Sequence, residues 1–307
     1  MSRIDVLSQS VDYPSPVDYF KLNIEFNEVQ MAYMDIAPTA SPNGEAILLL
    51  HGKNFNGYYW KDLIPMLTNN GYRLIIPDQV GWGKSDKPNL HYSFHQLALN
   101  TKKLLDKLHI DKVHIIGHSM GGMLAARFSL LFPEKVVKLV LENPIGLEDY
   151  RTFIPYEPVE VQYEKERKAT YASYKKYQQT YYTNWKPEYE QYVAAQWAVF
   201  NARDSSKIAW TNALTWQMIY EQPIIYELKN IKVQTLLIVG SEDQTLFGKD
   251  RLPKEVANEH AKYFQHAVEA QKQIKYSKLI EVKGTGHIPH IEATNIFLEH
   301  VLAFLRG

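Results

Sequence analysis

The pentapeptide Gly117-His118-Ser119-Met120-Gly121 constrains the fold more than any other part of the chain, because it matches the pattern G-x-S-x-G. It follows a short apolar run at residues 113–116, typical of a buried strand, and precedes a helix-forming run at residues 120–132. A strand can turn into a helix this abruptly only through a strained turn, which glycine tolerates because it has no Cβ atom. A purely structural Gly-Ser turn is the alternative. The flanking runs favour a turn that presents the Ser119 hydroxyl as a nucleophile.

The composition limits the class of protein and its partners. The chain has 307 residues, of which 45% are hydrophobic, and this length suits one large domain or one domain with an inserted subdomain. With 34 basic residues, 34 acidic residues and no run of like charge, nothing favours a nucleic acid or an anionic membrane as a partner. Cysteine is absent, which excludes disulfides, thiolate metal sites and a cysteine nucleophile. We therefore expect a small-molecule partner.

The hydropathy of the chain predicts a soluble protein. Residues 1–16 are polar and lack the apolar core of a signal peptide. No stretch is as long and apolar as a membrane span. We expect a cytoplasmic location, or a periplasmic or secreted one if a leader has been removed. The sequence does not distinguish a monomer from a homodimer.

Strand-like and helix-like runs alternate along most of the chain. Apolar or alternating runs predict strands at residues 19–26, 29–36, 46–50, 73–77, 113–116, 136–141, 233–239 and 277–282. Periodic spacing predicts helices at residues 58–70, 91–108, 120–132, 253–274 and 291–305. From residue 46 onward this alternation predicts an α/β fold, with a mostly parallel sheet and helices on both faces. Loops that carry His51, Asp78, Ser119 and Asn143 should then converge at the carboxyl ends of the strands.

The alternation breaks between residues 145 and 227, where no strand–helix unit is evident. Helical stretches are predicted at residues 160–182, 187–200 and 206–220, and ten of the 21 tyrosines lie between Tyr150 and Tyr192. Because the strand pattern then resumes, we predict a helical cap at residues 145–227, inserted after the sixth strand of a core formed by residues 1–144 and 228–307. A separate appended domain is the alternative. Trp185 and Trp197 are candidate substrate contacts in the cap.

A serine hydroxyl needs a base within hydrogen-bond reach, and the base needs an orienting acid. Asp243 follows one late strand and His287 follows the last, so the chain order is Ser, Asp, His, as expected for a nucleophile at such a turn. His287 directly follows Gly284-Thr285-Gly286, which favours it over the nearby His290. The alternatives to Asp243 as the acid are Glu242 and Glu142. We expect His118 to pack beneath the turn without transferring protons.

Stabilising a tetrahedral intermediate requires backbone amide donors near the serine. The N–H groups of Met120 and Lys53 are the candidates for this oxyanion hole. The Lys53 ammonium could be solvated or could lie near a substrate carboxylate. Asn54 and Phe55, which follow in the same loop, are candidate substrate-binding residues.

These motifs resemble those of the α/β-hydrolase superfamily, over about residues 18–145 and 230–306. The matching segments are His51-Gly52, Asp78 with the segment 81–85, the serine turn with Gly122, the segment 240–243, and Gly286-His287. The resemblance implies a Ser-Asp-His hydrolase with no metal and no organic cofactor. Epoxide hydrolases and haloalkane dehalogenases share the layout but carry an aspartate in place of the serine, so Ser119 argues against both. Carboxylesterases, lactonases, proline-type aminopeptidases, carbon–carbon bond hydrolases and perhydrolases remain.

The expected function is that of a carboxylesterase-like serine hydrolase, which cleaves an ester or related acyl bond of a small to medium substrate through an acyl-enzyme. A carbon–carbon bond hydrolase or a perhydrolase with the same triad is the first alternative. A ligand receptor that has lost useful turnover is a further alternative. The aromatic residues of the cap suggest an apolar or aromatic ligand, although tyrosines at helical spacing more often pack between helices.

Overall fold

The computed structural model describes residues 11–201 and 204–307. The strands in these residues form one eight-stranded sheet. The strands are β1 (Asp18–Ile24), β2 (Asn27–Ile36), β3 (Ala46–Leu50), β4 (Arg73–Pro77), β5 (Val113–His118), β6 (Val136–Glu142), β7 (Gln234–Gly240) and β8 (Ser277–Val282). Their order across the sheet is β1-β2-β4-β3-β5-β6-β7-β8. The β1–β2 and β2–β4 pairs are antiparallel, and all other neighbours are parallel. The predicted mostly parallel sheet is confirmed.

Strand β3 shows why these segments form strands. All five of its residues are buried. Ile47 and Leu49 pack in the hydrophobic cluster on one face of the sheet, and Leu48 and Leu50 pack in the cluster on the other face. Successive side chains of a strand point to opposite faces, so a strand covered on both faces needs an apolar residue at every position. The unbroken apolar run therefore predicts both the strand and its bounds.

Helices cover both faces of the sheet. Within the described residues they are α1 (Ile64–Thr68), α2 (Phe94–Lys107), α3 (Met120–Leu131), α4 (Val159–Glu166), α5 (Tyr171–Gln179), α6 (Glu190–Phe200), α7 (Ser205–Glu221), α8 (Lys254–His260), α9 (Tyr263–Gln273), α10 (Pro289–Glu292) and α11 (Thr294–Arg306). Helices α2, α3 and α9 contribute to one cluster, and α1 and α11 contribute to the other. None of the helices described here has the length and apolar character needed to cross a membrane.

Two long helices predicted from the sequence are each divided in the structure. The stretch 160–182 forms α4 and α5, because Thr170 begins a new helix as its N-cap: its hydroxyl accepts a hydrogen bond from the Ser173 N–H at 3.2 Å, and the Ser173 hydroxyl accepts one from the Thr170 N–H. The stretch 253–274 forms α8 and α9. At that break His260 stacks on Phe153, with ring centroids 3.6 Å apart. The spacing of apolar residues within one segment does not predict such contacts.

The helix predicted at residues 58–70 is also shorter in the structure. A 3₁₀ helix spans Gly57–Trp60, and α1 begins only at Ile64. The side chains of Tyr58, Tyr59 and Trp60 are buried, so packing below the sheet rim determines the path of the chain here.

Helices α4 to α7 lie between β6 and β7, in the segment 145–227 that we call the insert. Helix α4 packs on α7, and α5 packs on α6. Most of the insert's buried side chains share a core with the sheet: Ile154 and Ile219 belong to the cluster on one face, and Tyr181 and Tyr192 belong to the cluster on the other. This shared packing favours an inserted cap over a separate appended domain.

Candidate active site

Ser119 lies in a strained turn between β5 and α3. Its backbone angles are φ 56° and ψ −118°, a conformation that costs a non-glycine residue about 1–3 kcal/mol. A Cβ atom on Gly121 would lie 2.1 Å from the carbonyl oxygen of Leu50, so no larger residue fits there. A Cβ atom on Gly52 would lie 3.3 Å from the Ser119 Cβ, which shows that the loop after β3 passes directly beside the serine. The G-x-S-x-G pattern is thus required by backbone strain and close approach.

His287 contacts both other members of the predicted triad. Its Nε2 lies 2.9 Å from the Ser119 Oγ, and its Nδ1 lies 2.7 Å from the Asp243 Oδ2. The carboxylate accepts a hydrogen on Nδ1, which leaves Nε2 free to accept the serine proton. The imidazole of His287 and the carboxylate of Asp243 are each 1% exposed, so water does not compete for this contact. The three residues named from the sequence therefore meet in the geometry that proton transfer requires.

The Asp243 carboxylate is stabilised in its ionised form. Burial by itself raises the pKa of Asp243, but its interactions with His287 and hydrogen bonds from Thr245 and Asn143 outweigh burial and hold the pKa below its usual value. The Thr245 N–H donates to Oδ1 at 2.8 Å, and the Asn143 amide donates to Oδ2 at 2.6 Å. Asn143, at the end of β6, was placed at the rim by the sequence, but its contact with Asp243 was not predicted.

Each of the two predicted oxyanion donors belongs to a segment that lies next to the serine. Met120 begins α3, and Lys53 follows Gly52 in the loop after β3. No acceptor among the described residues takes the backbone N–H of either Met120 or Lys53. The carbonyl oxygen of Lys53 accepts a hydrogen bond from the Trp82 indole at 2.7 Å, which fixes this peptide. Both N–H groups are therefore without an acceptor in the described part of the chain, as an oxyanion hole requires.

Two of the three alternative residues, His290 and Glu142, pair with each other. The His290 Nδ1 lies 2.9 Å from each oxygen of Glu142, and the His290 N–H donates to the same carboxylate at 2.8 Å. Both side chains are essentially inaccessible to solvent, so His290 and Glu142 form a buried pair. Glu242 is exposed and accepts from the Ser241 hydroxyl. Neither acid contacts His287.

His118, inside the serine turn, belongs to a buried hydrogen-bond chain that no sequence pattern predicts. The Gly52 N–H donates to the Tyr59 oxygen at 3.1 Å, and the Tyr59 hydroxyl lies 3.2 Å from the His118 Nδ1. The His118 Nε2 lies 2.9 Å from the carbonyl oxygen of His287. Burial lowers the pKa of His118, and the neighbouring histidines lower it further, so its ring is neutral. The chain links the oxyanion loop to the backbone of His287.

A cavity of about 390 Å³ opens above Ser119. The insert and the loop after β7 supply most of its wall, and the loop after β3 and Ser119 itself supply the rest. The lining residues include Lys53, Asn54, Ile145, Gln162, Glu166, Tyr174, Tyr177, Tyr181, Gln196, Trp216, Thr245 and Phe247. Five of the lining side chains are aromatic, and they share the wall with amide, hydroxyl and charged groups. This composition suits a small or medium molecule with an apolar body. Within the described residues, no three histidine or acidic side chains are grouped as metal ligands would be.

The structure places only one of the four predicted substrate-binding side chains on this cavity. Asn54 lines it, whereas Phe55 is buried beside it and stacks on Tyr59 at 4.6 Å. Trp185 packs on Tyr189, and Trp197 packs among aromatic residues inside the insert. The expectation of substrate contact is therefore not supported for Phe55, Trp185 and Trp197. The tryptophan on the cavity wall is Trp216, which periodicity does not distinguish from the others.

Hydrogen bonds join the insert to the loop after β3, which carries Asn54, and to the loop after β8, which carries His287. The carbonyl oxygen of Tyr181 accepts the His287 N–H at 2.7 Å, and the Tyr181 hydroxyl accepts a hydrogen bond from the Asn54 amide at 2.7 Å. The Glu292 carboxylate accepts the N–H of Thr183 at 2.9 Å and the N–H of Gly286 at 2.7 Å. This part of the insert is consequently held to the loop that presents His287.

Comparison with known proteins identifies the family. The family described as alpha/beta hydrolase fold matches residues 45–294. A solved structure of a probable hydrolytic enzyme from Pseudomonas aeruginosa PAO1 is 41% identical, with 96% of each chain covered and a TM-score of 0.94.

Curated relatives match a shorter stretch. A 2-hydroxy-6-oxononadienedioate/2-hydroxy-6-oxononatrienedioate hydrolase of Paraburkholderia xenovorans is 42% identical over 118 residues, which are 37% of this chain and 39% of that protein. Epoxide hydrolase 2 of Siraitia grosvenorii is 39% identical over 100 residues, 32% of each chain. The chain thus matches only about a third to two fifths of these relatives, and proteins with different names match it almost equally well. The long matches, together with the eight-stranded sheet and the serine turn, show that the chain belongs to the α/β-hydrolase family.

Proposed function

We propose that this protein is a serine hydrolase that cleaves an ester or related acyl bond through an acyl-enzyme. Ser119 is the nucleophile, His287 the general base and acid, and Asp243 the group that orients His287. The observation that carries this proposal is the pair of hydrogen bonds made by one imidazole, 2.9 Å to the Ser119 Oγ and 2.7 Å to the Asp243 Oδ2. A receptor that had lost turnover would not need to retain this alignment.

The chemistry follows from the geometry. As the Ser119 oxygen attacks the substrate carbonyl, the His287 Nε2 accepts its proton, and Asp243 stabilises the resulting imidazolium. The negative charge on the carbonyl oxygen is received by the N–H groups of Met120 and Lys53. His287 then gives the proton to the leaving group, and the acyl-enzyme forms. Water, deprotonated by the same histidine, releases the acid and restores Ser119.

A second candidate is the cleavage of a carbon–carbon bond next to a ketone. It is favoured by the 42% identity to the stretch of the 2-hydroxy-6-oxononadienedioate/2-hydroxy-6-oxononatrienedioate hydrolase, whose substrates by that name are unsaturated hydroxy-oxo dicarboxylic acids. The same serine and histidine would serve that reaction. No observation favours a perhydrolase.

Both candidates are tested by one screen of the purified protein. The substrates are p-nitrophenyl esters of graded chain length, lactones and vinylogous diketo acids, and Ser119→Ala serves as the blank. We expect ester hydrolysis that Ser119→Ala abolishes, and a single covalent adduct of a fluorophosphonate probe at Ser119. Turnover of diketo acids without turnover of esters would select the second candidate. Probe labelling that persists in Ser119→Ala would refute both.

We also propose that residues 145–227 act as a cap over a core of residues 1–144 and 228–307. The cap hypothesis predicts that Trp216→Ala raises the kcat/KM of long-chain over short-chain p-nitrophenyl esters by roughly tenfold, because removing the indole enlarges the cavity wall. Trp197→Ala is the matched control, since Trp197 packs inside the insert. It should lower the melting temperature and leave the chain-length ratio unchanged. Equal ratios in both variants and the wild type would contradict the assignment of Trp216 to the substrate cavity.

A further inference from the structure

The ammonium group of Lys53 has no protein partner in the part of the chain that the structure describes. Lys53 lines the cavity that contains Ser119, yet no ion pair or hydrogen bond joins its side chain to another described residue. The other lysine on this cavity, Lys165, differs in this respect. It forms an ion pair with Glu157 at 2.9 Å and lies 3.8 Å from Asp250. Among the described residues, the charge of Lys165 is therefore paired with an acid, and the charge of Lys53 is not.

Glu166 is the acid that attracts Lys53, but its carboxylate makes its hydrogen bonds with two amides and none with the ammonium. One oxygen accepts the Gln162 amide at 2.8 Å, and the other accepts the Asn212 amide at 3.3 Å. Burial lowers the pKa of Lys53, and the attraction of Glu166 only partly opposes that change. Lys53 is half-buried, and an ammonium group held partly out of water is stabilised by a counter-ion, which a bound ligand can supply. The unpaired ammonium thus indicates an anionic group on the molecule that fills the cavity.

The position of Lys53 limits where that anionic group can lie. Lys53 directly follows Gly52, and a Cβ atom on Gly52 would lie 3.3 Å from the Ser119 Cβ, so the Lys53 backbone passes close to the nucleophile. The Trp82 indole holds the Lys53 carbonyl oxygen. The side chain therefore leaves the backbone beside the scissile carbonyl and extends along the cavity wall. A carboxylate that contacts its ammonium belongs to the acyl side of the substrate or close to it, a few bonds from the carbonyl that Ser119 attacks.

We propose that the substrate carries a free carboxylate near its scissile acyl group and that the Lys53 ammonium binds this carboxylate. The preferred substrates are then half-esters or other acyl derivatives of dicarboxylic acids, with an apolar body against Tyr174, Tyr177 and Trp216. This inference rests on the proposed function for the reaction itself, but the recognition of the anion is a separate property of the cavity.

The kinetic test compares two p-nitrophenyl esters that differ only in charge. The anionic one is p-nitrophenyl hydrogen adipate, and the neutral one carries a carboxamide in place of the free carboxylate. The measured quantity is the ratio of kcat/KM for the anionic ester to that for the neutral ester, with Ser119→Ala as the blank. A hydrogen bond to a charged group predicts a ratio of roughly 10 to 100 in the wild type.

Three variants then assign the preference to one lysine. Lys53→Met should lower the ratio to about one, and Lys53→Arg should restore part of it, since an arginine keeps the charge. Lys165→Met is the matched control and should keep the wild-type ratio, because Lys165 is already paired. A wild-type ratio near one, or the same loss in Lys165→Met as in Lys53→Met, would overturn the proposal.

A binding measurement separates this inference from the proposed function. Calorimetry with Ser119→Ala, which needs no catalysis, should show adipate binding at least tenfold more tightly than adipamide, and adding Lys53→Met should remove that difference. Equal binding of adipate and adipamide by Ser119→Ala would refute the inference even if the wild type hydrolyses esters. Preferential adipate binding without ester hydrolysis by the wild type would retain the inference and refute the ester reaction.

Discussion

His287→Ala should lower kcat by on the order of 10⁴-fold or more, because it removes the only base within reach of the Ser119 hydroxyl in the described part of the chain. Ser119→Ala should cause a similar loss. The residues act as a unit, so the double variant should be little worse than either single one. Steady-state kinetics on a short p-nitrophenyl ester measures all three. Losses that multiply in the double variant would contradict a shared proton-transfer step.

His290→Ala is the matched control for His287→Ala, since the two histidines are both buried and three residues apart. His290 pairs with Glu142 and does not contact Ser119. Removing its imidazole leaves a buried carboxylate without its partner, which typically costs about 3–5 kcal/mol of folding free energy. We therefore expect a large fall in melting temperature but a much smaller change in the kcat of the folded protein. Equal kinetic damage in two folded variants would mean that the base has been assigned to the wrong histidine.

Asp243→Asn should lower kcat by roughly 10⁴-fold while preserving the fold. The carboxylate accepts the hydrogen on the His287 Nδ1, and this fixes the tautomer whose Nε2 can take the serine proton. An asparagine amide can donate to Nδ1 instead, which places the ring hydrogen on Nε2 and leaves no acceptor for the serine. The measurement is kcat, together with circular dichroism to verify folding.

Glu242→Gln provides the control for Asp243→Asn, because Glu242 is adjacent in sequence but exposed and does not contact His287. Its kcat should stay near that of the wild type. An Asp243→Asn protein that kept more than a tenth of the wild-type kcat would show that another group orients His287.

The site contains two buried histidine–carboxylate pairs side by side, and only one of them reaches the serine. The rings of His118 and His287 are 4.9 Å apart, and those of His118 and His290 are 5.6 Å apart. His118 thus lies between the two pairs. Through Tyr59 and Gly52 it also connects the loop that carries His287 with the loop that carries Lys53. The backbone positions of the base and of one oxyanion donor are therefore coupled through a buried network.

The sequence by itself determined the elements that depend on neighbouring residues, namely several strands and the serine turn. Strands β3 and β4 begin and end where the apolar runs predict, because strands covered on both faces need mostly apolar side chains. The edge strand β8 also matches its predicted bounds, although most of its side chains are only partly buried. The serine turn is equally local, since the positive φ of Ser119 and the close approach at Gly121 allow few other residues. Chain order and strand ends were also enough to name Ser119, Asp243 and His287 as candidates for the site.

Only the tertiary structure decided which of several similar residues lie together. Asp243 and Glu142 both follow or end a strand, and His287 and His290 are three residues apart, so pattern alone allows more than one pairing. The neighbouring positions of β6, β7 and β8 in the sheet bring Glu142 against His290 and Asp243 against His287, across 148 and 44 residues of chain.

Contacts between distant segments also decide which residues form the cavity wall. Trp216, not Trp185 or Trp197, faces the cavity because the insert folds back onto the sheet at that point. Whether the Lys53 ammonium finds a partner likewise depends on residues more than 100 positions away in the insert. Periodicity reports which face of a helix is apolar, but contacts between distant segments determine what that face covers.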